Sequence, residues 1–260
     1  MKKIILIMLA VFVSWKLSSA NEDYDWSVEK STHFIVHYKK ATPDFVRELM
    51  DKSENYYNNI ADGMGFRRFN FWLWDNRAKI YIYDDAPDYH AGTGFPVWSA
   101  GFADVKNKEI YTYPYARGFF DTILPHEMGH IIFREFVGFN NFRVPMWLDE
   151  GVACFQENGR SEKSNVMVMA AIEKGDFVPV QKLSFLNPQV MQDNHSVNLF
   201  YAEAVSVVNF LVKRFGNDSF ISFCQRLRDG SSVEEAVRSS FNFNNLEELN
   251  EAWKKFLING

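Results

Sequence analysis

The sequence is poor in several features that mark particular classes of protein. Basic residues do not cluster and are not interleaved with aromatic ones, which argues against a nucleic-acid-binding surface. Internal repeats, low-complexity tracts and clear linkers are also lacking, so we expect a single domain over residues 21–260. Because 47% of the 260 residues are hydrophobic, including 25 phenylalanines, the chain has ample apolar surface for a core.

Long hydrophobic runs are lacking too, and the run at residues 4–13 is short. Lys2 and Lys3 precede it and small residues follow at 18–20, a pattern typical of a secretory signal peptide over residues 1–20. A membrane span needs about 20 apolar residues. We therefore expect cleavage, a secreted or periplasmic protein and no stable membrane span, with an uncleaved N-terminal anchor as the alternative. Since no cysteine lies near the cleavage site, a lipid-anchored form is not indicated.

The charge balance identifies no partner. Cleavage of the signal would remove Lys2, Lys3 and Lys16 and no acid, which changes the formal net charge from −5 to −8. This acidity favours solubility, and we expect no nucleic-acid partner. The oligomeric state cannot be predicted from it.

Cysteine is scarce, with Cys154 and Cys224 the only two in the sequence. An exported protein can form a disulfide between them, but cysteine is equally common as a small buried apolar residue. The sequence leaves both possibilities open.

Histidine is scarce as well, yet two of the six stand four apart in His126-Glu127-Met128-Gly129-His130. On a helix of about 3.6 residues per turn, both imidazoles project from one face and can reach one metal ion. Glu127 lies roughly 100° further round, where it can contact a water molecule without binding the metal. The pattern is typical of the zinc-binding helix of a metallopeptidase. The alternative is a pair of core histidines that are satisfied by hydrogen bonds.

The surrounding residues favour a helix. Asp121 or Thr122 is the expected cap, and Pro125 is tolerated in the first turn, where backbone N–H groups have no intrahelical partner. Gly138 is the expected end.

A catalytic zinc needs a third protein ligand and one open position. Phe133 and Phe136 occupy the positions that hold glycine and histidine in the metzincins, so that subclass is excluded. A further segment at residues 145–153 contains two adjacent acids, Asp149 and Glu150.

Residues 147–153, Trp-Leu-Asp-Glu-Gly-Val-Ala, resemble the second signature of the gluzincins. The resemblance is closest to the Peptidase MA-like family and more distant to aminopeptidase-N-like enzymes. It implies an α+β, zincin-like fold in which a small mixed sheet precedes a mostly helical C-terminal half. It also implies that Glu150 is the third zinc ligand, because Glu150 precedes Gly151 and Ala153. The aminopeptidase-like spacing is one residue shorter and would select Asp149.

The expected activity is hydrolysis of peptide bonds in a peptide or protein substrate by a zinc-activated water, with Glu127 as general base. Family enzymes use a later tyrosine or histidine to stabilise the oxyanion, and the candidates here are Tyr201 and His195. Residues 200–216 resemble the helix that follows the zinc site, which favours Tyr201. The alternatives are a peptide-binding or surface-interaction module with little turnover, and a hydrolase of non-peptide bonds. The sequence does not distinguish endo- from exopeptidase action.

In the N-terminal half, apolar and polar residues alternate as they do in the strands of a sheet. We expect strands at residues 33–38 and 79–83 and a hairpin of residues 101–105 with 109–113, separated by a loop at 84–99. The strand at 109–113 leads towards the histidine helix. It is therefore our candidate for the free edge that binds an extended substrate, with an ordinary internal strand as the alternative.

Helices dominate elsewhere. Thr42 is expected to cap a first helix that runs towards Gly63. In the C-terminal half we expect a helix end at Gly216, a capping box of Ser232 with Glu235, and a cap at Asn245.

Overall fold

The computed structural model describes residues 26–66, 72–97, 99–114, 116 and 118–259. The predicted signal peptide at residues 1–20 therefore lies outside the described residues. Within the described ranges, no helix is both long and apolar enough to cross a membrane.

One mixed sheet of five strands forms in the order β1-β2-β3-β5-β4. The strands are β1 (Ser27–Lys30), β2 (Phe34–Tyr38), β3 (Ala78–Ile82), β4 (Gly101–Asp104) and β5 (Glu109–Thr112). β2, β3 and β5 pair in parallel, whereas β1 and β4 pair antiparallel with their neighbours. The two predicted strands and the hairpin are confirmed. The strand β1 was not predicted, because its side chains are all exposed and show no apolar alternation.

The candidate edge strand was wrong. β5, at the predicted position 109–113, lies between β3 and β4, so its backbone groups pair on both sides. β4 forms that edge of the sheet instead. Sequence order gave no indication of this, because the hairpin places its first strand outside the parallel core.

The two faces of the sheet differ in character. One face carries the fully buried aliphatic side chains of Val36, Ile80 and Ile110. On the other face, the rings of His37, Tyr81 and Tyr111 lie side by side on β2, β3 and β5, because these residues are paired in register. We call these three side chains the ring row. Neighbouring rings stack with centroids 4.6 Å and 4.9 Å apart. Such cross-strand pairs stabilise one register of the sheet.

Two helices accompany the sheet. α1 (Pro43–Ala61) begins as predicted, with the Phe45 N–H donating to Thr42 Oγ1 at 3.3 Å. α2 (Ala86–Thr93) lies where a loop was expected. It forms because Asp85 caps it by accepting from the Asp88 N–H, and Gly94 ends it with a φ of 72°.

The histidine helix, α3 (Leu124–Val137), begins differently from our prediction. Gly118, with a φ of 78°, precedes a π-helical turn over Phe119–Ile123 that leads directly into α3. Asp121 and Thr122, the predicted caps, therefore lie inside this turn and not at the start of a helix. Gly138 ends the helix as predicted, with its N–H donating to the Arg134 carbonyl. π turns inside helices are often found at functional sites.

The C-terminal part of the chain is helical, as expected. Its elements are α4 (Met146–Phe155), α5 (Arg160–Lys174), α6 (Val180–Leu183), α7 (Asn194–Arg228), α8 (Val233–Phe241) and α9 (Leu246–Asn259). Gly216 interrupts α7 with non-helical backbone angles, which confirms the predicted break. Ser232 with Glu235 forms the capping box, and Asn245 accepts from the Glu248 N–H.

The chain divides into two compact units: residues 1–57 with 69–131, and residues 58–68 with 132–260. The first contains the sheet, and α7 is the central helix of the second, where it packs against α4, α5 and α8. The mixed sheet followed by a mostly helical half confirms the predicted α+β class. One domain over residues 21–260 stays a prediction.

Helices α4 and α7 pack with almost no space between their backbones at Gly151. A Cβ at that position would lie 2.4 Å from the Ala204 carbonyl oxygen and 2.9 Å from Val208 Cγ2. Only glycine allows this approach. Close helix packing therefore explains why a glycine stands at position 151 in the second signature.

Buried polar groups also lie along α7. Glu203 is fully buried and accepts the Val178 N–H at Oε1, at 2.7 Å, while its Oε2 has no hydrogen-bond partner among the described residues. Burial raises the pKa of Glu203 to about 8. Cys154 and Cys224 are both buried, and the described structure contains no disulfide between them.

We expect Gly151→Ala to destabilise the protein by about 1–3 kcal/mol, because the added methyl group overpacks the α4–α7 contact. The free energy of unfolding in urea measures this. The same loss should persist in a Val208→Ala background, since the Ala204 carbonyl remains in place. An unchanged stability would show that the helices separate at little cost.

We expect the stability of the protein to fall as pH rises from about 4.5 to about 8, because the folded carboxyl of Glu203 keeps its proton over this interval and the unfolded one does not. Glu203→Gln retains an acceptor for Val178 and removes this dependence. The variant should gain about 3–5 kcal/mol relative to wild type between pH 5 and pH 9. Urea unfolding at both pH values measures the gain, with exposed Glu247→Gln as the control. Parallel pH dependences of the Glu203 variant and wild type would contradict it.

Candidate metal centre

His126 and His130 lie one turn apart on α3, with their rings in an edge-to-face arrangement. The two Nε2 atoms are 3.2 Å apart, and the ring planes meet at 82°. Both side chains are buried, as are the apolar residues around them: Leu124, Met128, Ile131 and Phe133. This packing fixes the helix backbone, so both ring nitrogens are directed at one place.

Glu127, between the histidines, is 2% exposed. Its Oε2 makes no hydrogen bond to any residue in the described ranges. A buried polar atom without a partner costs free energy and calls for an explanation. Its charge is also felt on α2, since burial first and the Glu127 carboxylate to a smaller extent raise the pKa of Tyr89.

Glu150 is buried in the second turn of α4, where it is 4% exposed. One ligand atom from each of His126, His130 and Glu150 lies within 4.8 Å of the other two. Two imidazole nitrogens and one carboxylate oxygen are a donor set that zinc commonly takes in catalytic sites, with a fourth position left for water or substrate. The residues therefore fit a divalent metal ion.

Asp149, the alternative third ligand, is engaged elsewhere. Arg134 Nε donates to Asp149 Oδ2 at 2.8 Å, and Arg134 Nη2 forms an ion pair with the same oxygen at 2.8 Å. Among the described residues, Asp149 belongs to none of the groups whose atoms could hold a metal. The sequence did not reveal this ion pair, although Arg134 follows His130 at the spacing of one further helical turn.

A second group of potential ligands shares His126. It contains Cys154 and Glu157, whose ligand atoms also lie within 4.8 Å of one another and of His126. Burial raises the pKa of the Cys154 thiol well above its ordinary value, and a thiol must lose its proton to bind a metal. The histidine pair with Glu150 is therefore the better set. Sequence reasoning missed Glu157, which lies two residues beyond the end of α4.

The two candidates for oxyanion stabilisation differ in exposure. Tyr201 is buried on α7, three residues before the Ala204 carbonyl that contacts α4 at Gly151. The His195 side chain is 72% exposed near the start of α7 and lies 4.0 Å from Asp176. Burial favours Tyr201 as the residue that could act in a site shielded from water.

A search of curated proteins finds no match to this chain. A family model described as the Peptidase MA superfamily matches residues 74–259, which include α3 and α4. This confirms the resemblance inferred from residues 147–153, whereas the aminopeptidase-N-like detail stays a prediction. The match to the family model also supports a metal-dependent, peptidase-type enzyme. Because the match covers most of the sequence, the chain belongs to the Peptidase MA superfamily.

Proposed function

We propose that this chain is an exported zinc-dependent metallopeptidase of the gluzincin type. The observation that carries the proposal is the group of buried ligand atoms from His126, His130 and Glu150 within 4.8 Å of one another. Membership of the Peptidase MA superfamily supports it. Export rests on the signal-peptide pattern of residues 1–20 alone.

His126, His130 and Glu150 would hold the metal. A zinc ion bound by two neutral imidazoles and a carboxylate keeps a net positive charge, which polarises a substrate carbonyl and makes water acidic near neutral pH. The buried helix α3 keeps both imidazoles in place before the metal binds. That pre-organisation reduces the conformational entropy lost on binding.

Glu127 would act as the general base. Its buried Oε2, which has no hydrogen-bond partner among the described residues, is free to accept a proton from the attacking water. The same carboxyl would then donate that proton to the departing amine. The carboxylate is one residue from His126, so helix geometry keeps it beside the ligands without making it one of them.

Tyr201 would stabilise the oxyanion that forms as water attacks the carbonyl. A phenol donates one hydrogen bond, and it does so most effectively where water is excluded. Tyr201 is 4% exposed, which meets that requirement. His195 is the alternative donor.

We expect Glu127→Gln to retain about one zinc per chain and to lose peptidase activity by roughly 10²-fold or more, because amide nitrogen cannot accept the proton. Metal analysis and cleavage of a peptide library measure the two effects. Glu135→Gln, the same change on the same helix, is the matched control and should keep full activity.

Three outcomes would contradict the proposal in different ways. Zinc binding by wild type without cleavage of any peptide would favour a binding module. Cleavage of only non-peptide bonds would change the substrate class. Retention of activity in Glu127→Gln would remove Glu127 from the mechanism.

We expect Tyr201→Phe to lower kcat by about 10- to 100-fold with KM changed less than about threefold, because the lost hydrogen bond forms mainly in the transition state. Steady-state kinetics on one cleaved peptide measure both constants. Tyr38→Phe, in the sheet, serves as the control. A loss of kcat in His195→Ala, with Tyr201→Phe unaffected, would assign the role to His195.

A further inference from the structure

Three polar residues follow one another at intervals of four along α3. His126, His130 and Arg134 therefore lie on one face of the helix, with Arg134 one turn beyond the second histidine. The histidines provide candidate metal ligands, but the proposed mechanism gives Arg134 no role. Its place at the end of this row requires a separate explanation.

Arg134 contacts the residue next to the third ligand. Its Nε donates to Asp149 Oδ2 at 2.8 Å, and its Nη2 lies 2.8 Å from the same oxygen in an ion pair. The two side chains are each 12% exposed. Breaking a charge pair that is shielded from water costs free energy, because either partner left alone would be a buried charge without compensation. The contact links α3 directly to α4.

Arg134 is itself held in place. Its Nη1 donates to the Asn141 carbonyl at 3.3 Å. The Asn141 side-chain amide donates in turn to the carbonyls of Val137 and Leu227. The guanidinium is thus held in a fixed position near the end of α3, and it can hold the Asp149 carboxylate in a fixed position in turn.

The consequence for Glu150 follows from helix geometry. Consecutive residues on a helix point roughly 100° apart, so a fixed direction for Asp149 also fixes the direction of Glu150. A rotation of α4 by one position would exchange the two carboxylates. The Gly151 contact with Ala204 opposes such a rotation on the α7 side, because any other residue would bring a side chain against the Ala204 carbonyl. The Arg134–Asp149 pair opposes it on the α3 side.

We propose that Arg134 is a positioning residue that selects the third metal ligand. By binding Asp149, it fixes the rotation of α4 so that Glu150 faces the histidines, and it occupies the neighbouring carboxylate that could compete as a ligand. This inference rests on the proposed function, because it assigns a role towards the same metal site.

The test measures zinc affinity and stability separately. The variants are Arg134→Met, Asp149→Asn and the double variant, with Arg228→Met as the control. Arg228 also pairs with an aspartate, Asp229, within the second unit. The zinc Kd is measured by competition with a chromophoric chelator, and Tm is measured on the metal-free protein.

We expect Arg134→Met and Asp149→Asn each to raise the zinc Kd by about 10- to 100-fold, the range found for residues that orient metal ligands. The double variant should lose no more than about threefold beyond either single variant, since the pair acts as a unit. Arg228→Met should bind zinc as wild type does.

Arg134→Lys keeps the positive charge but loses the planar guanidinium with its fixed set of donors. This variant provides the test if Arg134→Met does not fold. We expect it to bind zinc more weakly than wild type with a Tm close to that of Arg228→Met. A lowered Tm with an unchanged zinc Kd in the Arg134 variants would reduce the pair to a structural contact and overturn the proposal. It would also be overturned if Asp149→Asn lost zinc while Glu150→Gln retained it.

The wild-type measurements separate this inference from the proposed function. Wild type that binds zinc but cleaves no peptide would refute the peptidase, while the expected shifts in Kd would still support Arg134 as a positioning residue. Peptide cleavage by wild type, together with unchanged zinc affinity in all Arg134 variants, would refute the positioning role alone. Wild type that binds no zinc would refute both.

Discussion

A polar or charged side chain loses its hydration when it is buried, and α3 and α4 bury five of them at neighbouring positions: His126, Glu127, His130, Asp149 and Glu150. Such a group of residues persists in an apolar interior only if other groups compensate each one. The charge of Arg134 compensates the buried Asp149 carboxylate. A bound cation would compensate the loss of hydration of the two imidazoles and Glu150. This electrostatic requirement explains why ionisable residues stand where core positions would otherwise be aliphatic.

Close packing is the second requirement, and it acts on the backbone. In the second signature, the proposed ligand Glu150 is followed directly by Gly151, a glycine that permits close contact between helices. Here the role of Gly151 is visible in its contact with the Ala204 carbonyl. Because α4 approaches α7 so closely, the helix that carries Glu150 and the helix that carries Tyr201 are mechanically coupled within the second unit. Substitutions at this contact will therefore act on both proposed roles together.

Local patterns made much of this structure predictable. The interval between His126 and His130 determines that both lie on one helix face, and the caps at Thr42, Ser232 and Asn245 involve residues only three positions apart. Features that depend on distant residues were not predictable. The position of β5 inside the sheet, the pairing of Arg134 with Asp149 and the proximity of Glu157 to His126 all arise from tertiary packing. The helix α2 was missed although its cap, Asp85, and its terminating Gly94 are local, because aromatic and glycine residues obscured the pattern.

The ring row of His37, Tyr81 and Tyr111 has a consequence for the order of folding. Parallel pairing of β2, β3 and β5 joins segments far apart in sequence, so these contacts form slowly, whereas the hairpin of β4 with β5 closes a short loop. A slip of one residue in any strand would send a ring to the opposite face and break the stack. The rings thus add a penalty for misaligned pairing of those strands whose contacts are the most distant in sequence.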